Sequence, residues 1–327
     1  MAPRRGGGGG VSSGSSSSNA CPGCNEPLYV TGYGFVPSNI AALAFAFICV
    51  IVFLIAYIMT FGTKIRNAKG KKSTFGARNA IGLLLIYQII DIITKFLTNL
   101  EDVPLTRSYY IVSPLASFFS CFSDTFLAYA VYKILSSRQS VKGVTGLSKT
   151  TRIIGLIGTG LLAVLSTAIF AIQVTNTVYL INYSYSSASY DVVEAGNILE
   201  LAHTSLGFVL ALIAFPLAFK VFLGHRGAGI RSKAPLYLVS MITPFWFVRQ
   251  VIILGISASV YTGTYYRTGR SIYLPLIYEL VYNFLSVPIV LGLALSVISS
   301  EWLDTGVAYG GMVYPKVPHD AGYGVQA

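Results

Sequence analysis

IAALAFAFICVIVFLIAYIMTF, residues 40–61, runs directly into GTKIRNAKGKKSTFGAR, residues 62–78. The first segment carries no charge at all, and the second carries six Lys or Arg and no acid. As a helix the apolar segment rises about 33 Å, enough to cross a hydrocarbon core of ~30 Å. Six further stretches of comparable character follow, at 79–98, 110–132, 153–175, 197–220, 235–259 and 272–300. The first, third and fifth connections carry six, five and four basic residues, and the second, fourth and sixth carry one, none and two. That alternation is the positive-inside pattern. The chain therefore reads as an all-α, seven-helix polytopic membrane protein with its N-terminus outside and its C-terminus cytoplasmic.

Composition supports the same class. Charged residues make up 11 % of the chain, against roughly 25 % in a soluble domain. A net charge of +11 would suit nucleic acid, but 15 of the 23 basic residues crowd into three short loops. Such clusters suit an anionic cytoplasmic leaflet, so membrane lipids are the expected partners and nucleic acid is not. The organisation expected is a Gly/Ser-rich, disordered extracellular tail (1–38), a transmembrane domain (39–300) and a short cytoplasmic tail (301–327). Folded domains need more than ~50 residues, so function must reside in the bundle or on short loops. The first span is expected to serve as the insertion signal. The membrane is the plasma membrane or an endomembrane.

Cys21 and Cys24 form a Cys-Pro-Gly-Cys pair in the outer tail. A local disulfide is the favoured reading, and an unlinked pair or a metal site are the alternatives. Zinc would want two further ligands, which Glu26 alone does not supply. Asn182-Tyr183-Ser184 is a glycosylation sequon in a connection expected outside, where the modification would be possible.

Ionisable residues inside a bilayer are costly and mark function. Asp91 and Lys95 stand four apart on the second span and can pair. Asp124 lies in the third span, Glu200 and His203 in the fifth, Arg249 in the sixth and Glu279 in the seventh. Counting at 1.5 Å per residue places Asp91, His203, Arg249 and Glu279 in one layer in the outer third of the membrane, with Asp124 deeper. Two readings follow. The groups neutralise one another and clamp the bundle, or they line an outward-facing polar pocket between spans 2, 5, 6 and 7 that holds a small-molecule or lipid ligand. Arg249 is expected to pair with Glu279 first and Asp91 second.

Enzymatic readings lack their residues. The chain holds three histidines, His203, His225 and His319, in three different regions, so no three-His metal site can form. His203 has no recognisable nucleophile motif to serve. The seventh span has no lysine for a retinal Schiff base. No enzyme activity, cofactor or metal is expected. Prolines punctuate spans 3, 5, 6 and 7 at Pro114, Pro216, Pro244 and Pro288, each removing a helix hydrogen bond and favouring a kink. Membrane helices ordinarily tolerate them, but Pro244 precedes Arg249 by less than two turns and reads as a hinge.

Pro244-Phe245-Trp246-Phe247-Val248-Arg249, together with Glu279 and Gly292 in span 7, resembles a fungal family of seven-span, receptor-like integral membrane proteins of unknown function. Tyr33-Gly34-Phe35-Val36-Pro37-Ser38 and Ser113-Pro114-Leu115 look similar too. The chain is more distantly similar to fungal lipid-translocating exporters. It departs from the family at Ile252, where an aromatic is usual, and at Phe75-Gly76-Ala77, where Gly-Trp is usual. The resemblance implies a fungal origin and supplies no established mechanism; the role expected from the topology and the polar layer is receptor-like sensing, with a cytoplasmic signalling partner at the basic inner loops. The alternative is a lipid or amphiphile translocator, and the third reading is a structural membrane scaffold.

Overall fold

The computed structural model describes residues 28–29, 37–61, 68–99, 104–105, 112–139, 145–181, 187–227, 233–262 and 280–299. Seven helices long and apolar enough to cross a membrane make up the fold. They are α1 (Pro37–Met59), α2 (Ala68–Asn99), α3 (Val112–Gln139), α4 (Thr145–Ile181) and α5 (Ser187–Gly227). α6 runs Lys233–Tyr237, passes through a π turn at Leu238–Ile242 and continues as Thr243–Tyr261. α7 opens on a second π turn, Leu280–Phe284, and continues as Leu285–Ile298. A two-residue antiparallel pairing, β1 (Leu28–Tyr29) with β2 (Pro104–Leu105), ties the segment before α1 to the α2–α3 connection. Cys21, Cys24, Asn182, Glu279 and the tail beyond residue 299 lie outside the described residues.

Neighbours in sequence are neighbours in space. Each helix packs on the next, and α7 closes the ring against α1 and α2. The exterior is apolar: Phe47, Ile48, Ile51, Ile55 and Ile58 of α1 are exposed, as are Leu156, Ile157, Leu161 and Val164 of α4. Soluble monomers do not present apolar patches of that extent. A bilayer solvates them, so this is an integral membrane protein.

Several helices outrun their hydropathic cores. α2 starts at Ala68 and so absorbs Lys69, Lys71, Lys72 and Arg78. α4 and α5 continue to Ile181 and from Ser187, which leaves residues 182–186 where a 21-residue connection was expected. α5 alone has 41 residues and is about 61 Å long, roughly twice the core thickness. Hydropathy marks only the part of a helix that needs hydrocarbon. Beyond it, internal hydrogen bonding can continue into the interface.

α3 is the polar hub. Ser123 Oγ donates to the Ala80 carbonyl of α2 at 2.9 Å, and the Tyr132 hydroxyl donates to the Leu210 carbonyl of α5 at 2.9 Å. The Thr125 and Ser166 hydroxyls meet at 3.2 Å, and Ser166 Oγ also meets His203 Nε2 at 3.2 Å, linking α3, α4 and α5. Between membrane helices each such bond contributes about 0.6 kcal/mol. Close backbone approach makes up the rest. A Cβ on Gly155 would stand 2.5 Å from Tyr132 Cβ, and one on Gly292 would stand 2.7 Å from Ile242 Cγ1.

The prolines divide by position. Pro114 is the third residue of α3, in the first turn, where no helical donor is lost, so it gives no reason for a kink there. Pro216 lies inside α5. Pro244 follows the α6 π turn, and Pro288 stands four residues after the last residue of the α7 π turn. In α6 the Thr243 backbone N–H and hydroxyl both donate to the Leu238 carbonyl, the hydroxyl at 2.8 Å. In α7 the Ser286 hydroxyl donates to the Tyr282 carbonyl. The side chains of Thr243 and Ser286 thus supply donors within the two irregular turns.

Candidate functional site

Along α3, Ser113, Ala116, Ser117, Ser120, Cys121 and Asp124 recur at helical spacing, so one face is small and polar. Facing it are Tyr87, Asp91 and Thr94 of α2, Ile169 and Gln173 of α4, and Glu200, His203 and Thr204 of α5, with Ile253 and Tyr282 from α6 and α7. Together they enclose a cavity of about 260 Å³. It extends from Ser113, exposed in the first turn of α3, to Asp124, about 16 Å farther along the helix. Ser113 lies at the end of the bundle opposite the basic connections.

The cavity is open, and Glu200 lines it. Glu200 shares a helical face with Thr204, Gly207, Ala211, Ala214 and Ala218, all of which are buried, yet Glu200 itself is exposed. Its side chain stands on the cavity wall.

An ion pair closes the floor. Arg249 Nη2 donates to Asp124 Oδ1 at 2.6 Å, with 1 % of the Arg249 side chain and 15 % of the Asp124 side chain exposed. The guanidinium carbon also lies 4.1 Å from the centre of the Tyr282 ring, a cation–π contact. The Tyr282 hydroxyl meets Ser120 Oγ at 2.7 Å, and Tyr87 packs edge-on against Tyr282 with centroids 5.6 Å apart. Lys95 Nζ donates to Asp91 Oδ2 at 2.5 Å on the cavity's α2 side.

Of the residues singled out from sequence, Asp91, Asp124, Glu200 and His203 line the cavity, and Lys95 and Arg249 are bonded to two of them. Arg249 pairs with Asp124 rather than with Asp91, and Glu279 lies outside the described residues. The greater depth expected for Asp124 is also corrected. Asp124 stands twelve residues after Val112 at the start of α3, and Arg249 stands twelve residues before Tyr261 at the end of α6. That is about 18 Å from the same end of the bundle in both cases. Counting from the edge of an apolar stretch misplaced Asp124, because the edges of those stretches, at 110 and 259, do not coincide with the helix ends at Val112 and Tyr261.

The pocket was expected between spans 2, 5, 6 and 7, and α3 and α4 are walls as well. Sequence reasoning missed the α3 face and Gln173. The available signal was the 3.6-residue recurrence of Ser, Ala and Cys ending on Asp124. No group of three His, Cys, Asp or Glu side chains among the described residues could hold a metal ion.

No family model, curated protein or solved structure matches this chain. Fold and site together define a seven-helix integral membrane protein with an open polar cavity at one end of the bundle.

Proposed function

We propose that the protein is a receptor-like sensor that binds a ligand in this cavity and reports occupancy at its basic connections. The carrying observation is the Arg249–Asp124 pair on the cavity floor. It attaches the cavity to α6 less than two turns from Pro244 and the π turn, a segment whose regular hydrogen bonding is already broken. That turn packs closely on Gly292 of α7, and α6 leads on to the basic connection containing Arg231 and Lys233. A ligand that competes for Asp124 would change the restraint on α6. Population of two α6 states with different affinities is all that ligand coupling requires. The positive-inside pattern puts the cavity mouth and the N-terminus outside and the basic loops in the cytoplasm, facing a signalling partner. No catalytic step is part of this reading. The resemblance to the fungal receptor-like family belongs to the proposal.

The test uses Pro244→Ala. Restoring a donor at residue 244 should change labelling of a cysteine placed at Val144 in the basic α3–α4 connection, with surface expression normal. If labelling is unchanged, and the purified chain moves a fluorescent lipid across proteoliposomes without any partner, the translocator reading replaces this one.

A further inference from the structure

We infer that the cavity takes a small organic ammonium cation, with Glu200 as its counter-charge and the Gln173 amide oxygen as a second acceptor. This rests on the reading of the cavity as a ligand site and adds its chemistry. Three carboxylates line the cavity: Asp91, Asp124 and Glu200. Two are matched, Asp91 by Lys95 at 2.5 Å and Asp124 by Arg249 at 2.6 Å. The Glu200 carboxyl has no hydrogen-bond or ion-pair partner among the described residues, which leaves one acidic group on the wall without a counter-charge. Gln173 Oε1 is buried and also lacks a hydrogen-bond partner.

The two acceptors are within reach of one ligand. Ser166 meets His203 across the α4–α5 interface. From that level Glu200 is three residues along α5 and Gln173 seven along α4, in the same direction, so their backbones are offset by about 6 Å.

Other ligand classes fit less well. An anion would face Glu200, and among the described residues the cations beside the cavity, Lys95 and Arg249, are already engaged. A wholly apolar ligand would desolvate Glu200, Gln173 and the α3 serines without replacing their hydrogen bonds, which is costly. A divalent metal finds no three-ligand group among the described residues. An ammonium donates to the carboxylate, the amide oxygen and the Ser117 or Ser120 hydroxyls at once. The volume limits its size. At ~30 Å³ per water, 260 Å³ corresponds to about nine waters, so only a small amine or a headgroup fits inside.

Cys121 lines the cavity as a free thiol and reports on it directly. In full-length protein with Cys21, Cys24 and Cys49 replaced by Ser, Cys121 is treated with methanethiosulfonates carrying an ethylammonium, a neutral methyl or an ethylsulfonate group. Rates are normalised to those with a free thiol in solution. The cationic reagent should react at least ~10-fold faster than the anionic one, the range expected for a cleft of one charge sign. Glu200→Gln should bring that ratio to within about threefold, on the same electrostatic argument.

Equal rates for the cationic and anionic reagents, or a preference that survives Glu200→Gln, would overturn the ammonium assignment while leaving an accessible cavity. Should Cys121 be unreactive to all three, a cysteine placed at Ser117 on the same wall replaces it, and no reaction there either would remove the cavity reading too. Should Glu200→Gln fail to fold, protection of wild-type Cys121 decides instead. Butylammonium in water or dodecylammonium in the bilayer should protect where butanol and butyrate do not. Protection by the first marks a solute, protection by the second alone marks a lipid headgroup, and protection by neither overturns the inference.

Discussion

Replacing Arg249 by Leu should cost the folded protein about 3 kcal/mol, the lower end of the range for breaking a buried ion pair from one side. The guanidinium is 1 % exposed, so its removal takes away a fully desolvated partner. The stranded Asp124 is 15 % exposed and borders an open cavity, and the hydration it recovers keeps the cost from the top of that range. Asp124→Asn takes the carboxylate from the guanidinium instead. The Tyr282 ring 4.1 Å away still holds it, a contact worth up to ~2 kcal/mol when desolvated, so the loss is again near 3 kcal/mol. The double variant should lose far less than the sum, because neither group is then left uncompensated. A coupling energy of about 2 kcal/mol is expected for residues in direct contact. Unfolding free energies from SDS titration in mixed micelles measure all three. Lys95→Met is the internal contrast: its partner is one turn away on the same helix and the two side chains are 27 % and 18 % exposed, so it should cost less than Arg249→Leu, whose guanidinium is fully desolvated. Losses in the double variant that add to within ~0.5 kcal/mol would refute the coupling of α3 to α6 through this pair.

Gly155→Ala and Gly292→Ala should each destabilise by about 1–3 kcal/mol, because the new methyl would meet Tyr132 Cβ at 2.5 Å or Ile242 Cγ1 at 2.7 Å. Gly160→Ala meets nothing within 4 Å and should be neutral or mildly stabilising in the same thermal assay, so equal effects at the three positions would undo the packing account. For orientation, an impermeant thiol reagent applied to intact cells should fail to label cysteines placed at Ser73, Val144 or Gly227, while Asn182 acquires a glycan. Labelling at the three positions without permeabilisation would invert the topology.

Much of the site was legible because bilayers penalise charge. Asp91, Lys95, Asp124, Glu200, His203 and Arg249 stand out in apolar stretches, and a charge retained there needs a partner or a cavity. All six do meet around one site. The pairing of Asp91 with Lys95, one turn apart on one helix, was legible as well, but the partner of Arg249 was not. Arg249 finds Asp124 because α3 and α6 end at matching heights on one side of the bundle, and no spacing within either segment encodes that. Glu200 and Asp124 also differ in status, one unmatched and one bonded, through contacts made by other helices.

Sequence by itself determined the number of spans and their helical state. Backbone groups in hydrocarbon must be satisfied within the segment, so seven predominantly apolar stretches of sufficient length become seven helices. Rotation and stagger were left to the tertiary structure. In water an apolar face identifies the core, but lipid tails are as apolar as Leu and give helices no such cue. Ile48, Ile51 and Ile55 face outward while Phe53, Ile81 and Ile289 are buried, and hydropathy treats both groups alike. What separates them is where small and polar residues let backbones approach or hydrogen-bond: Gly155 against Tyr132, Gly292 against Ile242, Ser166 between Thr125 and His203. Those contacts set the rotation of each helix, and that rotation turns the small, polar face of α3 inward and opens the cavity.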